Sequence, residues 1–224
     1  MPAFKIASGD LTNIPFLKKV ARKKKPIILS TGMATLEEVR ESVEAIKKQG
    51  NSKIILLHCT TNYPCPFEEV NLRAMVTLKN EFRLLVGYSD HTIGVTVPTM
   101  AVAIGACVIE KHFTLDTKLP GPDHKASLDP DGLRAMVQAI RNAEEALGDG
   151  VKKPNPSEQQ IKKVARKSIV ARIDIAKGAK ISRSMVIVKR PGTGMAPKMI
   201  TYALGKKTRR ALKKDTLLSW EDLQ

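Results

Sequence analysis

Cysteine is scarce in this chain: Cys59, Cys65 and Cys107 are the only three, an odd number among 224 residues. That excludes a disulfide framework and reads as a protein of a reducing cytoplasm. Long apolar runs are missing too. No stretch approaches the roughly 20 residues that span a bilayer, and the opening MPAFKIASGD enters a strand directly, without a secretory pattern. Acidic residues are scarce in one region only. Residues 151–224 hold 19 Lys+Arg against 5 Asp+Glu, a net +14, while residues 1–150 hold 19 against 17, a net +2. A charge break of that size places a domain boundary near residue 150. A basic tail domain can bind nucleic acid, but only Tyr202 and Trp220 could stack on bases there, and no recognition-module motif is visible. A lysine-rich solvated surface that helps steer an anionic substrate is the preferred reading; neither membrane nor nucleic acid is an expected partner.

Apolar content is ample at 42%, enough for the core of one medium domain and a small one. Five times a short apolar run ends in a small polar cluster: KIASGD, IILSTG, LLHCTTNYP, VGYSDHT and VIEKHFT. A helical pattern follows each. This repetition predicts a parallel βα array with its ligand sites at the carboxyl ends of the strands. The expected strands are 3–8, 26–31, 53–60, 84–90 and 107–114, with helices across 12–23, 35–50, 68–81 and 95–105 and another after Asp129. Thr35 with Glu38 three residues on predicts a capping box for the second helix. Its apolar positions Leu36, Val39, Val43 and Ile46 fall on one face. Strands rich in Ile, Leu and Val are those of a sheet buried on both faces. A closed barrel needs eight such units, and five are present.

Residues 151–162 read as a linker, with Ser157 and Gln160 as another capping-box pattern. Residues 163–224 read as a small β-rich domain with an internal repeat. There, 172–186 resembles 209–223 at an offset of 37, aligning Arg172 with Arg209, Lys177 with Lys214, Ile181 with Leu218 and Ser182 with Ser219. Each copy is expected to form a strand, a Lys-Gly or Lys-Asp turn, a second short strand and a brief helix.

Two of only four histidines follow successive strands: His91 in SDHT and His112 in EKHF. Neighbouring strands lie about 4.8 Å apart, so the two imidazoles could share a cation; satisfied loop histidines are the plainer alternative. Glu110 and His112 are two apart and face one side, as do Ser89 and His91. Two imidazoles leave coordination positions open, which suits a catalytic divalent ion better than a closed structural zinc. Lys5 and Ser8 end the first strand and Ser30-Thr31-Gly32 the second. Lysine, hydroxyls and backbone N–H groups are the parts of a phosphate cradle, although a strand-end lysine is often merely exposed. Asp123, in a long loop over the same mouth, could bind sugar hydroxyls or simply form a turn. Tyr63-Pro64 and Cys65-Pro66 stiffen the loop after the third strand. His58 is expected to pack inside. Cys59 lacks an assignable partner base, and Arg190 in KRPGTG is either a carboxylate or amide clamp or a surface cation.

The series KIASGD, STGM, HCTTNYP, GYSDHT, EKHFTLD, GPDHKAS and KRPGTG resembles the sialic acid synthase family, including the legionaminate and pseudaminate synthases, over essentially the whole chain. The resemblance implies a (βα)8 barrel, present here as strands four to eight, followed by an antifreeze-like (SAF, β-clip) domain. It implies condensation of phosphoenolpyruvate with N-acetylmannosamine, or with another bacterial aminosugar, releasing phosphate. It further implies Mn2+ or Mg2+ on His91 and His112, phosphoenolpyruvate contacts from Lys5, Ser8, Ser30, Thr61 and Ser89, and Glu110 at the reacting centre. Tyr63 and Asp123 would face the sugar. Arg190 matches the arginine that reaches into the partner's barrel in a domain-exchanged homodimer. Three βα units precede KIASGD in that family, and they carry a proton-handling acid and a further phosphate lysine. A chain without them is expected to be impaired alone, either as an inactive fragment or as the binding subunit of a split enzyme.

Overall fold

The computed structural model describes residues 1–224. The chain divides into two compact units, Met1–Gly150 and Val151–Gln224.

The first unit alternates strands and helices: β1 Phe4–Ile6, α1 Ile14–Ala21, β2 Ile27–Ser30, α2 Leu36–Lys47, β3 Ile54–Cys59, α3 Arg73–Phe82, β4 Leu85–Asp90, α4 Thr96–Ala103, β5 Ile109–Lys111 and α5 Pro130–Leu147. The five strands form one sheet in chain order, every neighbour parallel. All five polar clusters therefore emerge along one edge, as the sequence predicts. The register decides what faces what. Ile6, Ile27, Leu29, Ile54, Leu56, Val86 and Tyr88 point to the helices and make the core with Leu17, Val39, Val43, Ile46 and Leu78. The opposite face carries Lys5, Ser30, Cys59, Ser89 and Glu110. On that face Leu57, Ser30, Ser89 and Cys59 are buried while Leu85 is 61% exposed, so both-sided burial is realised only in part.

Local sequence explains the helix starts. Thr35 accepts from the Glu38 amide while Glu38 accepts from the Thr35 amide, the predicted capping box. Asp129 caps α5 by accepting from the Gly132 amide at 2.7 Å, with Pro130 at the first helical position. The last strand is shorter than the predicted 107–114. Beyond Lys111 the chain leaves β4 and bonds to the loop, Leu128 N–H donating to His112 and Thr114 N–H to Leu128.

In the second unit the predicted Ser157 cap fails. Ser157 is helical and makes no capping bond, and the Glu158 carboxylate instead accepts from the Asn155 amide at 2.7 Å. Helix α6, Glu158–Ala165, runs straight through the expected 162/163 linker boundary. Regular strand is sparser than expected: β6 Ser168–Ala171 pairs antiparallel with β7 Val186–Lys189, and the remaining pairings are isolated bridges. Turns every few residues leave no room for longer ladders. One further short helix, α7, spans Ile200–Ala203. The repeat is nevertheless real. Ile175 and Leu212, 37 apart, exchange both backbone bonds at 2.8 and 2.9 Å, as residues on a pseudo-twofold axis must. The 3-10 turns Arg183–Met185 and Trp220–Asp222 obey the same offset. So do the positive φ values of Gly178 and Asp215, the expected Lys-Gly and Lys-Asp turns.

Candidate active site

The strand parity that buries one face assembles polar groups on the other. Cys59, Ser89 and Glu110 are register neighbours across β3, β4 and β5. Ser89 Oγ donates to Glu110 Oε1 at 2.8 Å, and the same oxygen lies 3.2 Å from Lys5 Nζ. A carboxylate thus sits between an ammonium and a hydroxyl, each delivered by a different strand end.

Directly beyond β4 and β5 stand the two imidazoles, ring centroids 5.4 Å apart. Tyr63 packs on both, at 4.2 Å from His91 and 5.4 Å from His112. His91 Nδ1 is 2.7 Å from the Thr60 carbonyl. A carbonyl only accepts, so Nδ1 carries the hydrogen and Nε2 keeps its lone pair. Burial pushes the His91 pKa down, the nearby His112 adds to this, and the Thr60 bond works against it. Burial first, and the nearby Asp123 and Glu110 carboxylates after it, push the Tyr63 phenol up, so it stays a protonated donor. Asp123 forms the turn read from the sequence and keeps its carboxylate free for the mouth. Its carbonyl closes a turn with Ala126 and Ser127, while its carboxylate lies 3.8 Å from His112 Nδ1.

The hydroxyl cradle lies beside this cluster. Ser8 Oγ accepts from the Gly32 amide at 3.0 Å and lies 3.1 Å from Cys59 Sγ. A methyl at Gly32 would stand 2.3 Å from Thr61 Oγ1 and 2.7 Å from Cys59 Sγ, so only glycine fits. Ser30 Oγ and Thr61 Oγ1 are buried without a hydrogen-bond partner. Native interiors rarely leave such atoms unsatisfied, and here two occur in one cradle. Thr31, by contrast, donates to the Leu57 carbonyl at 3.0 Å and turns away from the cradle.

Sequence reading therefore finds Lys5, Ser8, Ser30, Thr61, Tyr63, Ser89, His91, Glu110, His112 and Asp123 at one strand-end mouth. Arg190 belongs to the second unit, exposed just after β7. His58 packs on the helix side, only half-buried, with Nε2 2.8 Å from the Val70 carbonyl. Missed were the Thr60 carbonyl, which sets the His91 tautomer, and the packing role of Cys59. A side chain that narrows a cradle leaves no motif of its own.

A family profile described as NeuB family matches residues 1–152. The chain belongs to the NeuB family. A SAF domain profile matches residues 166–224. The chain is 52% identical over 224 residues to the N,N'-diacetyllegionaminic acid synthase of Legionella pneumophila, covering 98% of the chain and 63% of that protein. It is 35% identical to the human N-acetylneuraminate-9-phosphate synthase, covering 99% of the chain and 62% of that protein. The crystal structure of an N-acetylneuraminic acid (sialic acid) synthetase from Leptospira borgpetersenii, in complex with citrate, aligns with TM-score 0.66 at 39% identity, over 72% of the chain and 56% of that protein. The NeuB chain spans a little under two thirds of the length of such curated relatives. No helix is long and apolar enough to cross a membrane.

Proposed function

We propose that the NeuB unit carries out a phosphoenolpyruvate-dependent condensation with an N-acetylated aminosugar aldehyde. The observation that supports this best is the triad Lys5–Glu110–Ser89 set between an under-satisfied hydroxyl cradle and a pair of imidazoles. Phosphoenolpyruvate brings a trianionic head that the cradle suits. Lys5 can leave Glu110 for a phosphate or carboxylate, and the Ser30 and Thr61 hydroxyls gain the partners they lack. Ser8, held in place by accepting from the Gly32 amide, offers its own O–H as a further donor on the same side.

The residues also fit a divalent cation, Mn2+ or Mg2+. His91 gives its Nδ1–H to a backbone carbonyl, the outer bond typical of a metal-holding histidine, and leaves Nε2 for the ion. His112 would be the second ligand. No group of three or more His, Cys, Asp and Glu side chains gathers around a common point, so a bound ion would keep positions open for water and substrate. When bound, such an ion supplies Lewis-acid polarisation of the aldehyde. In the reaction a carbon–carbon bond forms between the phosphoenolpyruvate methylene and the aldehyde carbon, and the aldehyde oxygen takes a proton. Water adds to the former enol carbon and the C–O bond to phosphate breaks, giving a 2-keto acid and inorganic phosphate. Glu110 is the carboxylate placed to take up or return a proton at that centre, with Ser89 fixing its orientation. Tyr63 and Asp123 offer a phenol and a carboxylate to sugar hydroxyls.

N-acetylmannosamine is one candidate sugar. The higher identity to the legionaminic acid synthase than to the human enzyme favours a second, the aminosugar precursor of legionaminate. A domain-exchanged homodimer that brings Arg190 to a partner's mouth belongs to the same reading. Phosphate release from phosphoenolpyruvate with Mn2+ tests it, offering each sugar in turn. The assay is run on the chain alone and with the portion of a relative that the chain does not span. Sugar-dependent release in either arm supports condensation, and release absent from both arms with every sugar rules it out.

A further inference from the structure

The polar groups of this edge that the site does not use are locked together on the opposite face of the same two strands. Asp90 accepts from Lys111 Nζ at 2.5 Å, from the Thr92 amide at 3.0 Å and from the Thr92 hydroxyl at 3.2 Å. Lys111 also donates to the Thr92 carbonyl at 2.6 Å. The two charged side chains are 0% and 2% exposed. Removing both ions from water costs several kcal/mol each, and a well-packed apolar pair of the same volume is often as stable. Stability is therefore a poor account of this pair, and its location supplies a better one. Asp90 and Lys111 are register partners at the last rung of β4 and β5. Asp90 and Thr92 flank His91, and Lys111 precedes His112. The backbone entering and leaving the first imidazole is bolted to the residue that presents the second.

We propose that the buried Asp90–Lys111 pair, closed by Thr92, positions the two imidazoles, fixing their spacing and the ring orientation that aims His91 Nδ1 at Thr60. Neither residue touches the mouth, so both are positioning residues. The proposal rests on the reading of His91 and His112 as the metal-holding pair. The bond that Asp90 and Lys111 would protect, from a metal-holding imidazole to its outer acceptor, is typically worth roughly 10–100-fold in metal affinity.

The test is an Asp90→Asn/Lys111→Met double variant, which removes both charges together and strands neither, with Asp90→Asn alone as the second variant. Four histidines make a 15N-histidine spectrum assignable, and it reads the His91 tautomer without any metal present. Titration with Mn2+ alone and thermal unfolding complete the set. The expected result is a double variant with near wild-type melting, a His91 ring that no longer holds a single Nδ1–H form, and Mn2+ binding weaker by about 10–100-fold. Asp90→Asn should loosen the His91 ring to a lesser degree. A wild-type His91 tautomer in whichever of these variants folds overturns the proposal. Failure of the metal reading shows separately: Mn2+ binding that is absent, or unchanged by His91→Ala with His112→Ala, removes that reading while the tautomer still decides positioning.

Discussion

The two faces of the sheet, at its carboxyl edge, treat polar groups in opposite ways. On the helix side every buried polar atom is spoken for: Asp90, Lys111 and Thr92 close on one another, and His58 reaches the Val70 carbonyl. On the mouth side Ser30 Oγ and Thr61 Oγ1 have no partner, and the His91 geometry leaves Nε2 with its lone pair. Ser30, Ser89 and His91 on the mouth side are nearly as buried as the Asp90–Lys111 pair, so exposure alone does not separate the two sets. Satisfaction does: a closed network holds shape, and an open one is arranged for something that arrives.

The largest expected effect breaks the mouth and spares the fold. Glu110→Gln keeps the hydrogen bond from Ser89 but removes the charge that Lys5 faces. Loss of a positioned acid–base group removes about 10²–10⁴-fold in rate, so sugar-dependent phosphate release should fall by that much. The Lys5–Glu110 pair is about one-third exposed on both sides, where ion pairs contribute little. Melting should therefore stay near wild type. A Glu110→Gln protein with unaltered turnover would remove Glu110 from the reacting centre.

A pair of hydroxyl deletions sharpens the contrast, because the same chemical change should act with opposite sign. Thr92→Val deletes a buried donor to the Asp90 carboxylate, a bond to a charged group worth about 1.5–3 kcal/mol. Ser30→Ala deletes a hydroxyl without a partner, so it should leave stability unchanged or raise it, while weakening phosphoenolpyruvate binding. Thermal unfolding and ligand titration on both variants decide the matter. Equal destabilisation by the two would show that the faces do not differ as argued.

Much of this was legible in the chain, for reasons that can be named. The strand-to-polar-cluster repeats state the edge directly, because parallel strands place all their carboxyl ends together. Aligning SDH on β4 with EKH on β5 gives Ser89–Glu110, Asp90–Lys111 and His91 beside His112 in one step. The first and third of these follow from side-chain parity and were predictable. The middle one was not read, because charged residues in a strand motif look like surface or site until the helices covering that face are placed. The Ser157 cap failed for a different reason: capping chemistry is local, and Glu158 offered the Asn155 amide an equally local alternative. The 37-residue repeat gave the pseudo-twofold axis of the second unit but not its sparse strands, since repetition fixes symmetry and not hydrogen-bond regularity.

The smallest expected effect concerns pH and the helix side. Burial holds the His58 pKa below its ordinary 6.5, and its bond to the Val70 carbonyl, with the neighbouring Asn71 backbone, only partly opposes this. The unfolded chain therefore takes up a proton below that ordinary value before the folded chain does. Stability owed to the neutral ring is complete above about pH 6.5 and is lost as pH falls through the lower folded value. Exposed carboxylates titrate near pH 4, well under this window. His91 shifts in the same direction, so the wild type alone cannot isolate His58. Comparison with His58→Gln can. Between pH 7.5 and 5.5 the wild type should lose a few degrees or less of melting temperature relative to the variant. At pH 7.5 phosphate release by the two should match, because His58 faces away from the mouth. Parallel pH profiles of melting would show that His58 is not held neutral by burial, and altered turnover would place it on the wrong face of the comparison.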